Sequence, residues 1–482
     1  MKAATMQPTI WIARLAKIVQ ENRLFGPTYQ FDDMSVFDLE RAVFLPPKLL
    51  EHAKESEENL IPPFSCRVIT NLLEEDEVIS KGMYSTYREG SDVNDIIMIP
   101  GGRFLFTMSE KHGDGVTYTK LWDLGQPNTQ PSRITLLSRL AGQERICTTA
   151  PTPDGLGIRV ITATTAKEDY QIKVYHIFPL SPKPRFEQTA SIKLSEYIRS
   201  VNISGNRIIC STSRPPQPDL FGMTPQPELM MGFILIWDFI NNTSAVLRPT
   251  YPLPQELYLW GKHVITFHSN TLSLWSIPPL TPGTPQFIRS MPASAPKWTS
   301  VLSAWSVDRA GAKNNMLLPQ TGWIPADSCS QYLIAESIPI EPSDDLPQYA
   351  VYRIDSSWAK ISSISSTDTH SETEEKQQPQ PQHIVDFDPN LFGEDFRMYR
   401  SPAPPQIFKK DIFLTFDASG SIVMAAIPLP NVENNEVTQG WKFCCLAIGR
   451  LSSTTYLQFC PATGRGCSLW GGEVRVFDYM LL

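Results

Sequence analysis

Histidines are the first side chains to consider for chemistry, because an imidazole can bind a metal ion or move a proton near neutral pH. The chain has seven of them, and the one close pair is His263 and His268. On an extended strand, two residues separated by five positions point to opposite faces, so these rings cannot share a metal ion. We expect both histidines to have structural roles.

Other short motifs are similar to reactive sites but lack the partners that such sites need. Residues 141–145 (AGQER) are similar to the switch segment of small GTPases, yet the sequence has no G-x-x-x-x-G-K-[ST] phosphate loop and no G-x-S-x-G nucleophile elbow. Cys444 and Cys445 are neighbours, so a strand would point them to opposite faces, which favours burial over redox chemistry. The acidic run 74–77 is typical of a solvated loop. We therefore predict no enzyme, and no catalytic, cofactor-binding or metal-binding residues.

Composition narrows the class of protein further. The chain has 482 residues, of which 41% are hydrophobic, so it can bury a large core. It carries 42 Lys and Arg against 50 Asp and Glu, a net charge of −8 that disfavours nucleic-acid binding. The apolar stretch 10–19 contains Arg14 and Lys17, so we expect neither a signal peptide nor a membrane span. The eight cysteines form no C-x-x-C pair, which predicts reduced thiols and a cytoplasmic or nuclear location.

The first 60 residues are predicted to be helical. Trp11, Leu15 and Ile18 follow the 3.6-residue repeat, which predicts an amphipathic helix over 9–23. We expect this apolar stripe to pack against the rest of the chain, because water penalises large exposed apolar side chains.

A second, shorter helix follows the first in the prediction. Ser35 and Asp38 have the spacing of a capping pair at a helix N-terminus. Pro46 and Pro47 are then expected to end the helix, because proline lacks the main-chain donor that a helix needs. Residues 1–60 are accordingly assigned to one helical segment.

From residue 61 onward the pattern changes to strands that recur as a unit. Each unit has a glycine-containing turn and a strand in which an aliphatic residue precedes an aromatic one. The aromatic positions are Trp122, Tyr175, Trp237, Trp275, Tyr352 and Phe477, and a weaker unit covers 411–429. Seven such units predict an all-β fold, a β-propeller of about seven four-stranded blades over 61–482. The early strand 66–72 is expected to pair with the last blade and close the ring.

Insertions between these units are predicted from composition. The proline-rich stretches 214–230 and 278–296 fall where loops between strands would lie. The stretch near 362–386 is rich in Ser, Thr, Glu, Gln and Pro, so we predict a disordered insertion between the fifth and sixth units.

The succession of short motifs resembles that of fungal F-box proteins with a C-terminal β-propeller. The motifs are IWI at 10–12, NRLF at 22–25, DMS at 33–35, LERA at 39–42, PGGRFL at 100–105 and LWDLG at 121–125. As a family, such proteins are substrate-receptor subunits of cullin-type ubiquitin ligases, in which the F-box holds a Skp-type adaptor and the propeller holds a target. The resemblance implies a protein target, and it places Trp11, Leu15 and Ile18 on the last F-box helix as candidate partner-facing residues.

The sequence departs from that family at its N-terminus. An F-box has three helices, and here only about ten residues precede the helix of Trp11. The stretch 45–50 (LPPKLL) is similar to an F-box opening, but the charged stretch 51–59 follows it. We therefore expect no stable complex with a Skp-type adaptor from this chain alone. A plain propeller scaffold unconnected to ubiquitin is the alternative function, and a propeller enzyme is disfavoured because the strand interiors are aliphatic.

Overall fold

The computed structural model describes the backbone of most of the chain. The described residues are 7–55, 62–69, 92–110, 116–127, 129, 133–164, 170–213, 232–249, 256–268, 271–283, 293–301, 313–317, 323, 330–338, 348–355, 382–387, 403–408, 411–418, 421–428, 442–447, 456–470 and 473–479. The chain forms two compact units, which are Met1–Thr162 with Tyr175–Thr189 and Glu394–Leu482, and Ala163–Val174 with Ala190–Gly393.

The first unit begins with two helices that pack on each other. They are α1 (Pro8–Glu21) and α2 (Val36–Glu55), and two short 3-10 turns, Gly26–Thr28 and Phe31–Asp33, connect them. Trp11 and Leu15 from α1 are buried in one apolar cluster with Leu39, Ala42 and Val43 from α2. The apolar stripe therefore packs inside the chain, as predicted.

The start of α2 agrees with the prediction, and its end does not. The Ser35 hydroxyl accepts a hydrogen bond from the Asp38 main-chain N–H (3.2 Å) and donates one to the Asp38 carboxylate (2.6 Å). The predicted stop at Pro46 and Pro47 is wrong, because the helix continues to Glu55. Leu45 is buried in the core of the first unit, and such tertiary packing can outweigh the roughly 3 kcal/mol that a proline costs inside a helix.

The rest of the described chain is β-structure. The first described strand is β1 (Ser65–Ile69). The strands of the first six sheets follow: β2 (Asp92–Met98), β3 (Phe104–Glu110), β4 (Thr117–Asp123), β5 (Thr135–Gly142); β6 (Glu144–Pro151), β7 (Ile158–Thr164), β8 (Tyr170–Ile177), β9 (Glu187–Leu194); β10 (Tyr197–Ser204), β11 (Arg207–Ser213), β12 (Gly232–Asp238), β13 (Thr243–Leu247); β14 (Glu256–Trp260), β15 (His263–His268), β16 (Thr271–Ser276), β17 (Thr281–Pro282), β18 (Trp298–Val301); β19 (Lys313–Leu317), β20 (Ser330–Ile338), β21 (Gln348–Asp355), β22 (Gln382–Phe387); β23 (Ala403–Phe408), β24 (Asp411–Ala418), β25 (Ser421–Pro428), β26 (Lys442–Ala447). The last three are β27 (Tyr456–Cys460), β28 (Arg465–Trp470) and β29 (Glu473–Asp478).

These strands form seven sheets, each built from four strands in chain order except the last. The short β17 adds a fifth strand to the third sheet by pairing with β13. The last sheet has the order β1-β29-β28-β27, so the first strand of the chain completes it. Four-stranded antiparallel sheets in chain order, with one completed by the opposite end of the chain, identify a seven-bladed β-propeller. The predicted fold class and the closing role of the early strand are both confirmed.

The structure adds one detail to the strand prediction and corrects another. The aromatic-ended strands are the third strand of their blades, and a fourth strand follows each of them along the chain, except in the last blade. The predicted disordered insertion is wrong over 382–386, because these residues form β22 and pair with β21. The register of that pair, from Tyr349 opposite Phe387 to Arg353 opposite Gln382, supplies the fourth strand of the fifth blade. The remainder of the insertion and the loop 214–230 lie outside the described residues.

Each unit has its own apolar core. In the first unit, side chains from the first and last blades pack together, including Ile96, Leu105, Val474 and Val476. In the second unit, the third and fourth blades share a core that contains Trp275. Within the described part of the chain, no helix has the length and apolarity needed to cross a membrane.

Candidate interaction site

The segment between the two helices is fixed to the first blade. The main-chain N–H of Phe25 donates to the Pro100 carbonyl (2.9 Å), and the Phe25 ring meets Phe104 edge-on with centroids 5.7 Å apart. Gly101 has a φ of +106°, and a Cβ at that position would overlap the hydroxyl of Thr28. Glycine is therefore needed at this contact for two reasons, its left-handed backbone and its missing side chain.

Arg103 extends this junction into the first blade. Its guanidinium donates to the Pro27 carbonyl (3.1 Å) and to both carboxylate oxygens of Asp123 (3.1 and 2.8 Å). The Arg103 side chain is only 7% exposed, so this two-point ion pair is largely desolvated. Asp123 also accepts from the Gly125 N–H at 2.8 Å. One arginine thus connects the N-terminal segment to the turn before β3 and to the end of β4.

A second arginine–aspartate cluster joins the last blade to the first. Asp478 at the end of β29 accepts hydrogen bonds from Arg67 on β1 (2.8 Å) and from Arg465 on β28. The Arg465 side chain is 2% exposed, and its Nη1 also donates to the carbonyls of Gly102 (3.1 Å) and Gly125 (2.7 Å). Burial opposes ionisation of Asp478, but the charges of Arg465 and Arg67 outweigh it, so its pKa is lowered.

A cleft of about 350 Å³ lies where the N-terminal segment meets the first blade. Its lining is polar and charged: Asp33, Met34, Asp38, Arg103, Asp123, Gly125, Gln126, Thr129, Arg133 and Thr135. Arg103 and Asp123 neutralise each other, and Asp38 bonds to the Ser35 hydroxyl. Asp33 and Asp38 then remain as negative charges in the cleft lining, and Arg133 remains as a positive charge. Such a lining suits hydrogen-bonding protein side chains better than an apolar ligand.

Elsewhere, buried polar side chains form hydrogen bonds within their own blades. Glu144, from the stretch that is similar to a GTPase switch, accepts hydrogen bonds from the hydroxyls of Tyr175 (2.9 Å) and Thr162 (3.3 Å). Burial, and next the Glu144 carboxylate, raise the pKa of Tyr175. His263 and His268 stand at the two ends of β15, and burial lowers the pKa of His263. Among the described residues, no cluster of three His, Cys, Asp or Glu has metal-site geometry.

The tryptophans of the repeated strands form hydrogen bonds within their own blades. The Trp122 indole N–H donates to the Thr107 hydroxyl at 3.0 Å, and Trp275 donates to Thr266 at 2.9 Å. In both pairs a tryptophan on the third strand bonds to a threonine on the second. Asp238 accepts from the main-chain N–H groups of the turn that follows β12. These residues are packing and hydrogen-bonding elements.

The predicted partner-facing residues are placed differently from the expectation. Trp11 and Leu15 are 3% and 0% exposed, so both side chains lie inside the helical cluster and present no surface to a partner. Ile18 is half-buried beside them. The reason is that α2 covers the same stripe that an isolated α1 would expose. The acidic run 74–77 lies outside the described residues, and Cys444 and Cys445 lie on β26.

Sequence reasoning missed the two arginine–aspartate clusters. A signal for them was present: a Gly-Arg pair stands at the turn into the second strand in the first and last blades, at Arg103 and Arg465. An aspartate follows the aromatic residue of the third strand in the same blades, at Asp123 and Asp478. Antiparallel pairing brings each arginine beside its aspartate, because Arg465 stands opposite Asp478 in the register.

Comparisons with known proteins give structural likeness only. No family model and no curated protein matches the sequence. The chain is similar to a Kuenenia stuttgartiensis hydrazine synthase structure (TM-score 0.43, 11% identity, 82% of this chain and 99% of that chain). It is also similar to a chain of Chaetomium thermophilum Polycomb Repressive Complex 2 bound to GSK126 (0.42, 12%, 88% and 99%) and to the WD40 domain of SCAP from fission yeast (0.37, 9%, 82% and 97%).

Proposed function

We propose that this chain is a protein-interaction propeller, and that it serves as the target-holding part of a cullin-type ubiquitin ligase receptor. The observation that carries this proposal is the junction of the N-terminal segment with the first blade. Phe25, Thr28 and Arg103 fix the segment between the helices to the propeller through a main-chain hydrogen bond, van der Waals contact and a hydrogen bond from the Arg103 guanidinium to the Pro27 carbonyl. A receptor needs such a joint, because it must hold a target at a set distance from the ligase.

The ligase role within this proposal depends on the resemblance of the sequence to F-box proteins with a propeller. The target-binding role depends on the fold, because a propeller presents many loops from a stable scaffold. The polar cleft beside Asp33 and Arg133 is one place where side chains of a target would be held. A plain scaffold is the second candidate, since the same rigid junction serves any assembly that attaches its helices and its propeller to different partners.

A fusion experiment separates the two candidates. A complete F-box from a known receptor is joined to residue 1, and the fusion is reconstituted with a Skp-type adaptor, a cullin and the ubiquitin-transfer enzymes. We expect the fusion to hold the adaptor, and proteins captured by the propeller to become ubiquitylated. The chain without the added F-box is the matched control and should capture the same proteins without modifying them.

Each result has a defined meaning. Captured proteins that stay unmodified by an adaptor-bound fusion would reject the ligase role and leave the scaffold. A chain that captures no protein would reject the interaction function itself. Stable binding of the adaptor by the unfused chain would show that the stretch 45–50 begins an F-box, although Leu45 is buried in the core of the first unit.

A further inference from the structure

The outward face of α2 carries an alternation of aromatic and basic side chains. Phe37, Arg41, Phe44 and Lys48 follow one another at spacings of four, three and four residues, so they share one face of the helix. Phe37 is 60% exposed and Phe44 is 40% exposed. Leu39 on the opposite side of α2 is fully buried, so the core-facing side of the helix is distinct from the side that carries these two rings.

The neighbouring turn of α1 extends this face. The Trp11 ring meets Phe44 edge-on with centroids 5.3 Å apart, and the Arg14 guanidinium lies 5.7 Å from the same Trp11 ring. Ile10, one turn before Arg14, is 40% exposed. We call the combined surface the aromatic–basic stripe: Ile10, Arg14, Phe37, Arg41, Phe44 and Lys48.

Among the described residues, no acidic side chain forms an ion pair with the cations of the stripe. Arg41 lies 5.2 Å over the Phe37 ring, and its Nε and Nη2 groups are buried without a hydrogen-bond partner among the described residues. No ion pair is formed by Arg14 or Lys48 with another described residue, whereas the adjacent Lys17 pairs with Glu21 at 3.5 Å. Arg41 is half-buried, so it contributes mainly a positive charge beside the exposed Phe37 ring, whereas Arg14 and Lys48 are exposed and can donate to carboxylates.

We propose that the aromatic–basic stripe binds an acidic amphipathic segment of a partner protein. Apolar side chains of that segment would cover Phe37 and Phe44, and its carboxylates would meet Arg14, Arg41 and Lys48. Aromatic residues and arginines are the side chains that dominate protein interfaces, and an amphipathic helix is a common occupant of a helical face. Charge complementarity selects the acidic partner, because the stripe is basic in a chain of net charge −8. This surface lies on the outward face of the helices, whereas the proposed target cleft lies where the N-terminal segment meets the first blade, so the inference goes beyond that cleft.

Fluorescence anisotropy with the full-length chain tests the proposal directly. The probe is a fluorescein-labelled helical peptide that repeats Glu-Leu-Leu-Glu-Ala-Leu-Glu, and the comparison peptide has lysine in place of every glutamate. We expect saturable binding of the acidic peptide, weakened as salt concentration rises. Equal binding of the lysine peptide, or no binding of the acidic peptide, would overturn the proposal. Vesicles of anionic phospholipid form a third arm, and binding to them without binding to the acidic peptide would also overturn it.

Matched variants locate the binding on the stripe. Arg41→Glu should weaken acidic-peptide binding by about tenfold or more, because it replaces an attraction with a like-charge contact. Lys183→Glu reverses an exposed charge on the second blade, away from the stripe, and should leave binding within about twofold. Phe37→Ser should also weaken binding, whereas Leu156→Ser, at 61% exposure against 60% for Phe37, should not. Equal effects of the stripe variants and their controls would show that the site lies elsewhere.

Discussion

The carboxylate of Asp478 is expected to be a main determinant of stability where the two ends of the propeller sequence meet. It holds Arg67, from the strand nearest the N-terminus, and Arg465, from the last blade. Arg465 in turn donates to two carbonyls of the first blade. Asp478→Asn preserves the shape of the side chain and removes its charge. Two guanidinium groups, 2% and 15% exposed at Arg465 and Arg67, then lose their counter-charge.

The size of the effect follows from this burial. Removing one partner of a buried ion pair costs about 3–5 kcal/mol, and the partial exposure of Arg67 places the expectation near the lower value. Total stabilities are typically about 5–15 kcal/mol, so a loss of about 3 kcal/mol is large. A surface carboxylate gives the contrast: Asp32→Asn, at an exposed position of the second 3-10 turn, should change stability by less than about 1 kcal/mol.

Urea denaturation of the wild type and both variants, at neutral and at acidic pH, measures this effect. The folded-state pKa of Asp478 is lowered below its usual value, so its stabilisation is complete above about pH 4 and is lost as pH falls through the lowered pKa. The Asp478→Asn variant should lack that acid-dependent loss. A destabilisation below about 1 kcal/mol at neutral pH would refute the reasoning, since it would place the cluster among ordinary surface pairs.

Three further predictions concern single positions. Gln458→Ala should lower the free energy of unfolding by about 1–3 kcal/mol in urea denaturation, because its amide bonds to two main-chain groups of β2 that would lose these partners. Gly101→Ala should expose the helical segment to limited proteolysis through its overlap with Thr28, whereas Gly155→Ala, at a comparable positive φ but with nothing within 4 Å, should not. Burial raises the pKa of Glu256 to about 7, so stability should fall as pH rises between about 4.5 and 7, and Glu256→Gln should flatten that slope in urea denaturations across this range.

Local patterns in the sequence determined much of the fold. The apolar repeat of α1, the Ser35 and Asp38 capping pair and the six aromatic-ended strands each express a preference that is set within a few residues. The pairing of β1 with β29 was also predictable, because a propeller that leaves an open edge needs a strand to complete it. That residues 61–482 form one domain stays a prediction.

Only the tertiary structure decided which side chains are exposed and can contact a partner. Trp11 and Leu15 have the spacing of a binding face, yet α2 covers them, while the rings of Phe37 and Phe44 remain exposed. Pro46 and Pro47 indicated a helix end, but α2 continues through both prolines to Glu55. The preceding residue, Leu45, is packed in the core of the first unit. The Asp478 cluster joins residues more than 400 positions apart. A sequence pattern reports local preference, whereas burial and ion pairing depend on which distant segments meet, and only the folded chain fixes those contacts.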